Sequence, residues 1–212
     1  PARTAVPARE VAGTTDLAVV DRQGNAVDVT TTVEGVFGSG LSVDGVILNN
    51  QLTDFDIVPG KGGYLVANRV EGGKRPRSSM APTIVYDPDG RVRLAIGAAG
   101  GSTIIAQVAK AIMGVIDFKM SAQDAIAAGL VFAPGPVIVE QGTEREAMVP
   151  AMRALGDQVQ VAQLGLKANA IERKGDHWVG AADPRSEGVA IGEDGSVTSI
   201  TRAADPMSRP SE

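Results

Sequence analysis

The amino-acid sequence predicts an α+β fold in which helices pack on antiparallel sheet. Three observations carry this. Strand-like runs recur on either side of short turn sequences such as Asp87-Pro88-Asp89-Gly90 and Lys174-Gly175-Asp176. The run from Ile104 to Ile116 follows helical spacing instead. Strands and helices do not alternate one for one, which argues against a sheet built from βαβ units.

In chain order, residues 1–13 are rich in Pro and Ala and read as linker. Leu17–Asp21 forms a short strand, Arg22-Gln23-Gly24-Asn25 turns, and Ala26–Val33 returns. In the returning strand Val27, Val29 and Thr31 share one face, and Asp28, Thr30 and Thr32 the other. Gly35, Gly38 and Gly40 break the pattern before Val46–Gln51 resumes as an apolar, buried-looking strand. Residues 56–77 are a long Gly- and Pro-rich loop, of a length usually reserved for functional or mobile segments. Thr83–Tyr86 and Val92–Ile96 flank the next hairpin turn. Ile104, Ile105, Val108, Ile112, Met113 and Ile116 mark a helix, and Ser121 caps a second one running through Ala128. A strand at Val137–Glu140, a helix at 144–155, a strand at Val159–Gln163 and a hairpin of Ala170–Arg173 with Trp178–Ala182 follow. Trp178 is expected in the core. Beyond Ile191 the chain turns polar and is expected to be loosely ordered. The predicted organisation is therefore a linker at 1–13, one domain at 14–191 and a tail at 192–212.

The 212 residues suffice for one sizeable domain or one subunit of a larger fold. With 43% hydrophobic and 21% charged residues and a net charge of −5, the composition is that of an ordinary globular protein. An acidic chain with 3% aromatics offers neither basic patch nor stacking platform for nucleic acid. No apolar run approaches the roughly 20 residues of a membrane span. There is no cysteine, which removes disulfides, thiol nucleophiles and thiolate metal sites. The start, Pro1 to Pro7, has no apolar signal core and no initiator Met, and reads as part of a longer precursor.

Chemistry concentrates at three places. At Gly13-Thr14 the loose lead-in meets the β pattern. Cleavage there would free the Thr14 amine, whose pKa of about 7.7–8.0 would let it serve the threonine's own hydroxyl as base. The bland alternative is a strand start set by β propensity. The Gly97–Ser102 run joins a strand to a helix, so it suits a phosphate cradle, an oxyanion hole or simply a tight turn. Neither the P-loop nor the dinucleotide pattern is met. Glu34, Gln51 and Asp54 follow strands and suit an ammonium group, while Ser78 and Ser79 suit a carboxylate, together an amino-acid-shaped ligand. His177, the only histidine, sits in a polar hairpin beside Asp176; one histidine without other ligands does not make a metal site, and a surface role is expected rather than a Ser-His-Asp triad.

Taken in order, a set of motifs resembles the small subunit of the gamma-glutamyltransferases, an N-terminal-nucleophile hydrolase family. They are Thr14-Thr15 with Leu17-Ala18-Val19-Val20-Asp21, Gly24-Asn25-Ala26-Val27, Phe37-Gly38-Ser39-Gly40, and Leu48-Asn49-Asn50-Gln51 with Asp54-Phe55. Lys74-Arg75-Pro76-Arg77-Ser78-Ser79-Met80 with Pro82-Thr83, Gly97 with Gly100-Gly101-Ser102, and Ala182-Asp183-Pro184-Arg185 continue it, over residues 14–190. The resemblance implies half of an αββα sandwich, shared with a larger N-terminal subunit and made by self-cleavage between Gly13 and Thr14. It implies Thr14 as nucleophile, Thr32 as its hydrogen-bonding partner and Gly100 with Gly101 as oxyanion hole. It also implies that Ser78 and Ser79 bind a γ-glutamyl α-carboxylate and that Gln51 and Asp54 bind its α-amine. Implied too are glutathione or related γ-glutamyl amides as substrate, water or an amine as acceptor, no metal or organic cofactor, and a periplasmic or extracellular setting, with a cytoplasmic one still open. Some features depart from the pattern. Glu34 stands where many members have Asn, Asp16 replaces a frequent His, and Ala98-Ala99 replaces a usual Ser-Pro. The 56–77 loop, long in itself, is shorter than in members with a well-formed lid over the site, with Tyr64 as its candidate lid residue. Related members act as cephalosporin or glutaryl acylases, and an uncleaved, non-catalytic binding or structural module is the remaining alternative.

Overall fold

Strand β1 (Thr14–Val20) and strand β2 (Ala26–Thr32) form a two-stranded sheet whose alternation is the reverse of the usual one. Its apolar side chains Leu17, Val19, Val27 and Val29 face outward and are 40–54% exposed. Thr14, Asp16, Asp28, Thr30 and Thr32 take the more buried positions. The turn is fixed by Asp21, whose carboxylate accepts from the Gln23 and Asn25 N–H groups and the Asn25 side chain. These bonds, the Asn25 side chain foremost, hold the Asp21 carboxyl below its ordinary range.

The computed structural model describes residues 13–198, so the linker expected over 1–12 and the tail beyond 198 lie outside the described residues. Within it the chain divides into two compact units. The smaller takes in the described residues 13–15 and 31–79; the larger takes in 16–30 and 80–198.

In the smaller unit regular structure is sparse. Strands β3 (Ser42–Val43) and β4 (Val46–Ile47) form one short hairpin, and β5 (Gly60–Lys61) and β6 (Tyr64–Leu65) another. A 3-10 turn at Gln51–Asp54 lies between them. The expected buried strand at Val46–Gln51 is thus corrected: only two residues pair, and Val46 is 64% exposed. An apolar run becomes a buried strand only if neighbouring chain covers both its faces, and among the described residues none does. Gly38 is the fixed point of this region. Its φ is +50, and a Cβ there would lie 2.1 Å from the Leu48 carbonyl oxygen, which Ser39 N–H and Oγ both contact.

The larger unit is built on a four-stranded antiparallel sheet in the order β13-β12-β8-β7, from β7 (Thr83–Tyr86), β8 (Val92–Ala99), β12 (Lys167–Lys174) and β13 (His177–Ala182). Helix α1 (Ile104–Ile116) and helix α2 (Ala122–Ala127) cover one face. Their core comprises Leu94, Ile96, Ala98, Ile104, Val108, Val115, Ile126 and Ala170. Ile105 and Met113, counted on the apolar face of the helix from spacing, are instead exposed. The buried face is centred on Ile104, Gln107, Val108, Ala111 and Val115. Ser121 caps α2 as expected, accepting the Asp124 N–H. A second sheet has the order β11-β10-β9, from β9 (Val131–Phe132), β10 (Val137–Glu140) and β11 (Val159–Ala162). Helix α3 (Val149–Ala154), preceded by a 3-10 turn at Glu144–Met148, links β10 to β11. That pair is parallel, an exception to the antiparallel expectation that follows from the helical crossover. Strand pairing continues past Ile191, because β15 (Val197–Thr198) pairs with β14 (Ala190–Ile191). Trp178 is half-buried rather than in the core.

Arg185 locks this unit together. Its guanidinium pairs with buried Glu140 and Asp183 and donates to the Ile126, Ala127 and Ala128 carbonyls at the end of α2. Lys110 adds its ammonium to the Ile126 and Ala128 carbonyls, and burial, with Arg185 nearby, lowers its pKa to about 8. Arg185→Ala is expected to destabilise the larger unit by ~3–5 kcal/mol, since it strands two buried carboxylates and several helix-end carbonyls. Thermal unfolding of the full-length protein measures this.

Candidate active site

The start of β1 and the end of β2 place two hydroxyls together. Thr14 Oγ1 donates to Thr32 Oγ1 at 2.9 Å, and Thr32 Oγ1 also accepts the Glu34 N–H at 2.9 Å. The Thr32 hydroxyl donates in turn to the Gly13 carbonyl oxygen at 3.4 Å. A hydroxyl has one proton and two acceptor sites, so Thr32 is fully engaged. Residue 13 is pressed against residues 34–35: its N–H donates to the Glu34 carbonyl at 3.4 Å, and a Cβ would lie 2.7 Å from the Gly35 carbonyl oxygen. Glu34 itself has a φ of +72, an uncommon conformation for a residue with a side chain.

Asn50 carries the connection onward. It accepts the Gly35 N–H at 2.8 Å and donates its own N–H to the Val33 carbonyl at 3.2 Å. The 3-10 turn then sets Gln51 Nε2 2.9 Å from Asp54 Oδ2, so the two expected ammonium-binding residues do meet. Asn68 ties in the serine segment. Its Nδ2 donates to the Asp54 carbonyl at 2.7 Å and to Asp56, while its Oδ1 accepts the Arg77 N–H at 2.9 Å. Ser78, exposed, and Ser79, half-buried, follow directly. Tyr64 lies on the β5–β6 hairpin and is 81% exposed. Thr14, Thr32, Glu34, Gln51, Asp54, Ser78 and Ser79 therefore all belong to the smaller unit. Asn50 and Asn68 escaped the sequence reading. The signal available for Asn50 was its place in the Asn49-Asn50-Gln51 run; for Asn68 there was none.

Gly100 and Gly101 belong to the larger unit, where β8 passes through a 3-10 turn into α1. Gly100 has a φ of +133, and a Cβ there would lie 2.8 Å from both Thr103 Oγ1 and Gln107 Nε2. Buried Gln107 organises the turn: its Nε2 donates to the Ala99 carbonyl and Thr103 Oγ1, both at 2.9 Å, and its Oε1 accepts the Lys167 N–H at 3.0 Å. Thr103 Oγ1 donates to the Gly100 carbonyl at 2.9 Å. The turn is thus held by its carbonyls, and none of these bonds uses the N–H of Gly100 or Gly101. A glutamine on an otherwise apolar helix face is a signal that spacing alone could have raised.

The family model of gamma-glutamyltranspeptidase matches residues 2–193. The chain belongs to the gamma-glutamyltranspeptidase family. It is 36% identical over 186 residues to a glutathione hydrolase proenzyme of Bacillus subtilis, covering 84% of this chain and 30% of that protein. It is 35% identical over 188 residues to the acylase ACY 1 proenzyme of a Pseudomonas species, covering 86% of this chain and 32% of that one. Among solved structures, a gamma-glutamyltranspeptidase variant of Helicobacter pylori superposes with a TM-score of 0.72 at 35% identity, over 81% of this chain and 100% of that chain. The chain spans about three-tenths of the length of these curated relatives. Its α+β layers are of the N-terminal-nucleophile hydrolase type. Among the described residues no helix is long and apolar enough to cross a membrane.

Proposed function

We propose that this chain is the C-terminal, nucleophile-bearing part of a gamma-glutamyltransferase and glutathione hydrolase, activated by cleavage between Gly13 and Thr14. The observation that carries the reading is the chain of hydroxyls from Thr14 through Thr32 to the Gly13 carbonyl. In the precursor, Thr14 Oγ1 attacks the Gly13 carbonyl carbon, polarised by the Thr32 hydroxyl, and its proton passes to the departing Thr14 nitrogen. The resulting ester is hydrolysed by water, giving a Gly13 carboxylate, a free Thr14 hydroxyl and a free α-amine. With a pKa of about 7.7–8.0 that amine acts as base near neutral pH. It takes the Thr14 hydroxyl proton as the oxygen attacks the γ-amide carbon of glutathione or another γ-glutamyl compound. The N–H groups of Gly100 and Gly101 stabilise the oxyanion, and the proton moves to the leaving amine. Water or an acceptor amine then resolves the acyl-enzyme. Ser78 and Ser79 hold the substrate's α-carboxylate, and Gln51, Asp54 and Glu34 hold its α-amine.

A larger N-terminal portion of the same precursor completes this site and supplies an arginine to the substrate carboxylate. The fraction of relatives' length that the chain spans supports this. A periplasmic or extracellular setting belongs to the same reading. Identity to an acylase proenzyme favours a second acyl group, glutaryl or a β-lactam side chain, and Glu34 at the ammonium end is the discriminator. In the full-length protein, intact mass is expected to reveal a fragment beginning at Thr14. The cleaved protein is expected to hydrolyse γ-glutamyl anilide faster than glutaryl anilide by about tenfold or more, the worth of one well-placed charged contact. A persistent Gly13–Thr14 bond without turnover would overturn the reading, and a preference for the glutaryl compound would replace it with the acylase one.

A further inference from the structure

The buried face of the β1–β2 hairpin holds two carboxyls that the reaction above does not use. Asp16 accepts from Thr30 Oγ1 and, at Oδ2, from Asn169 Nδ2 at 3.0 Å; the same Asn169 nitrogen donates to the Asp16 main-chain oxygen at 2.8 Å. Opposite lies Gly97 of β8, where a Cβ would fall 2.2 Å from Asp16 Oδ1, so the sheet is hollowed for this carboxylate. Asp28, on the same face of the hairpin and near enough for the Asp16 charge to act on it, accepts the Thr83 N–H at Oδ2 at 2.9 Å. Its Oδ1 is buried without a partner among the described residues.

We propose that Asp16 and Asp28 share one proton, carried by Asp28 and directed to Asp16, and that this acid–carboxylate clamp fixes strand β1 on the four-stranded sheet. Two ionised carboxylates sharing one face of the hairpin repel, and an orphaned buried oxygen is costly. One proton removes both problems, because the Asp28 carboxyl then donates to Asp16, whose remaining donors are Thr30 and Asn169.

The surroundings favour that state. Thr30 on β2, the Thr83 N–H on β7 and Asn169 on β12 are neutral, and Gly97 on β8 brings no side chain. The cations of β8 and β12 are occupied or remote: Arg93 and Lys174 pair with Glu172, Arg173 pairs with Asp87, and Lys167 is exposed at the strand end. Burial raises the Asp16 carboxyl above its ordinary value against the bonds from Thr30 and Asn169. Burial and the Asp16 charge push Asp28 up to about 7. An acid raised in the folded state stabilises below its unfolded pKa, about 3.9, and that stabilisation is lost as pH climbs through the folded value.

The clamp positions Thr14 only on the reading of Thr14 given above, but its proton can be observed independently of cleavage. In infrared spectra of the full-length protein, a protonated-carboxyl C=O stretch is expected at pH ~6, disappearing with a midpoint near neutrality and missing from Asp28→Asn. Asp28→Asn keeps the shape and the donor without the titration. Its Tm advantage over the parent should grow between pH 5 and pH 8 by about 3 °C or more. Absence of the band, or parallel Tm curves for parent and variant, would overturn the clamp. Absence of cleavage with the band present would count against the nucleophile and not the clamp.

Discussion

Full-length protein carrying Thr14→Ala is expected to remain one polypeptide and to lose turnover by roughly four orders of magnitude or more, as removal of a covalent nucleophile does. Both losses have one cause. The Thr14 hydroxyl is the group that donates to Thr32 Oγ1 beside the Gly13 carbonyl, and it is the group that would form the acyl-enzyme. Alanine leaves the Thr32–Gly13 contact intact but supplies no oxygen to attack. Thr14→Ser is the informative companion: it restores the oxygen without the methyl, and should recover slow cleavage and partial turnover. The checks are intact mass for cleavage and the rate of γ-glutamyl anilide hydrolysis for turnover. A Thr14→Ala protein that cleaves itself would remove Thr14 from the mechanism altogether.

The second large effect is expected at Gly100. Gly100→Ala forces a side chain into a backbone with a φ of +133 and into space already taken by Thr103 Oγ1 and Gln107 Nε2. Relief requires the turn to move. Displacing even one oxyanion donor costs about 10²–10³ in kcat, with little change in KM if substrate binding is made elsewhere. A Tm lowered by several degrees should accompany it, since strain of this kind costs about 1–3 kcal/mol. A variant with normal kcat would show that the turn is only a turn.

Local grammar carried most of the fold. The Asp87–Gly90 and Lys174–Asp176 turns, the Ser121 cap and the α1 period each depend on neighbouring residues, and each element forms where sequence places it. Val46–Gln51 failed because burial is decided by what covers a segment, and an apolar run carries no record of its cover. The parallel β10–β11 pair failed for a related reason: strand direction is set by a crossover, here α3 with its 3-10 lead-in, that spacing did not distinguish from a plain helix. At the candidate site the residue types were readable, but their supports were not. Gln107, Asn50 and Asn68 act through amide geometry over separations that no local pattern reports. Asp28 was read as an ordinary strand residue and Asp16 only as a departure from the family pattern, so their pairing across the hairpin was not legible.

The Thr32 hydroxyl has a single proton, and while the Gly13–Thr14 bond stands that proton is committed to the Gly13 carbonyl. On the proposed mechanism, scission turns that carbonyl into a carboxylate no longer tethered to Thr14, and its departure returns the donor to circulation. On this mechanism the uncut chain is silenced twice over, by an acylated amine and by an occupied hydroxyl, and a single hydrolysis lifts both blocks at once. The junction then works as a one-way latch, whose release leaves Thr32 free to be taken up by Thr14 or by an incoming acyl group.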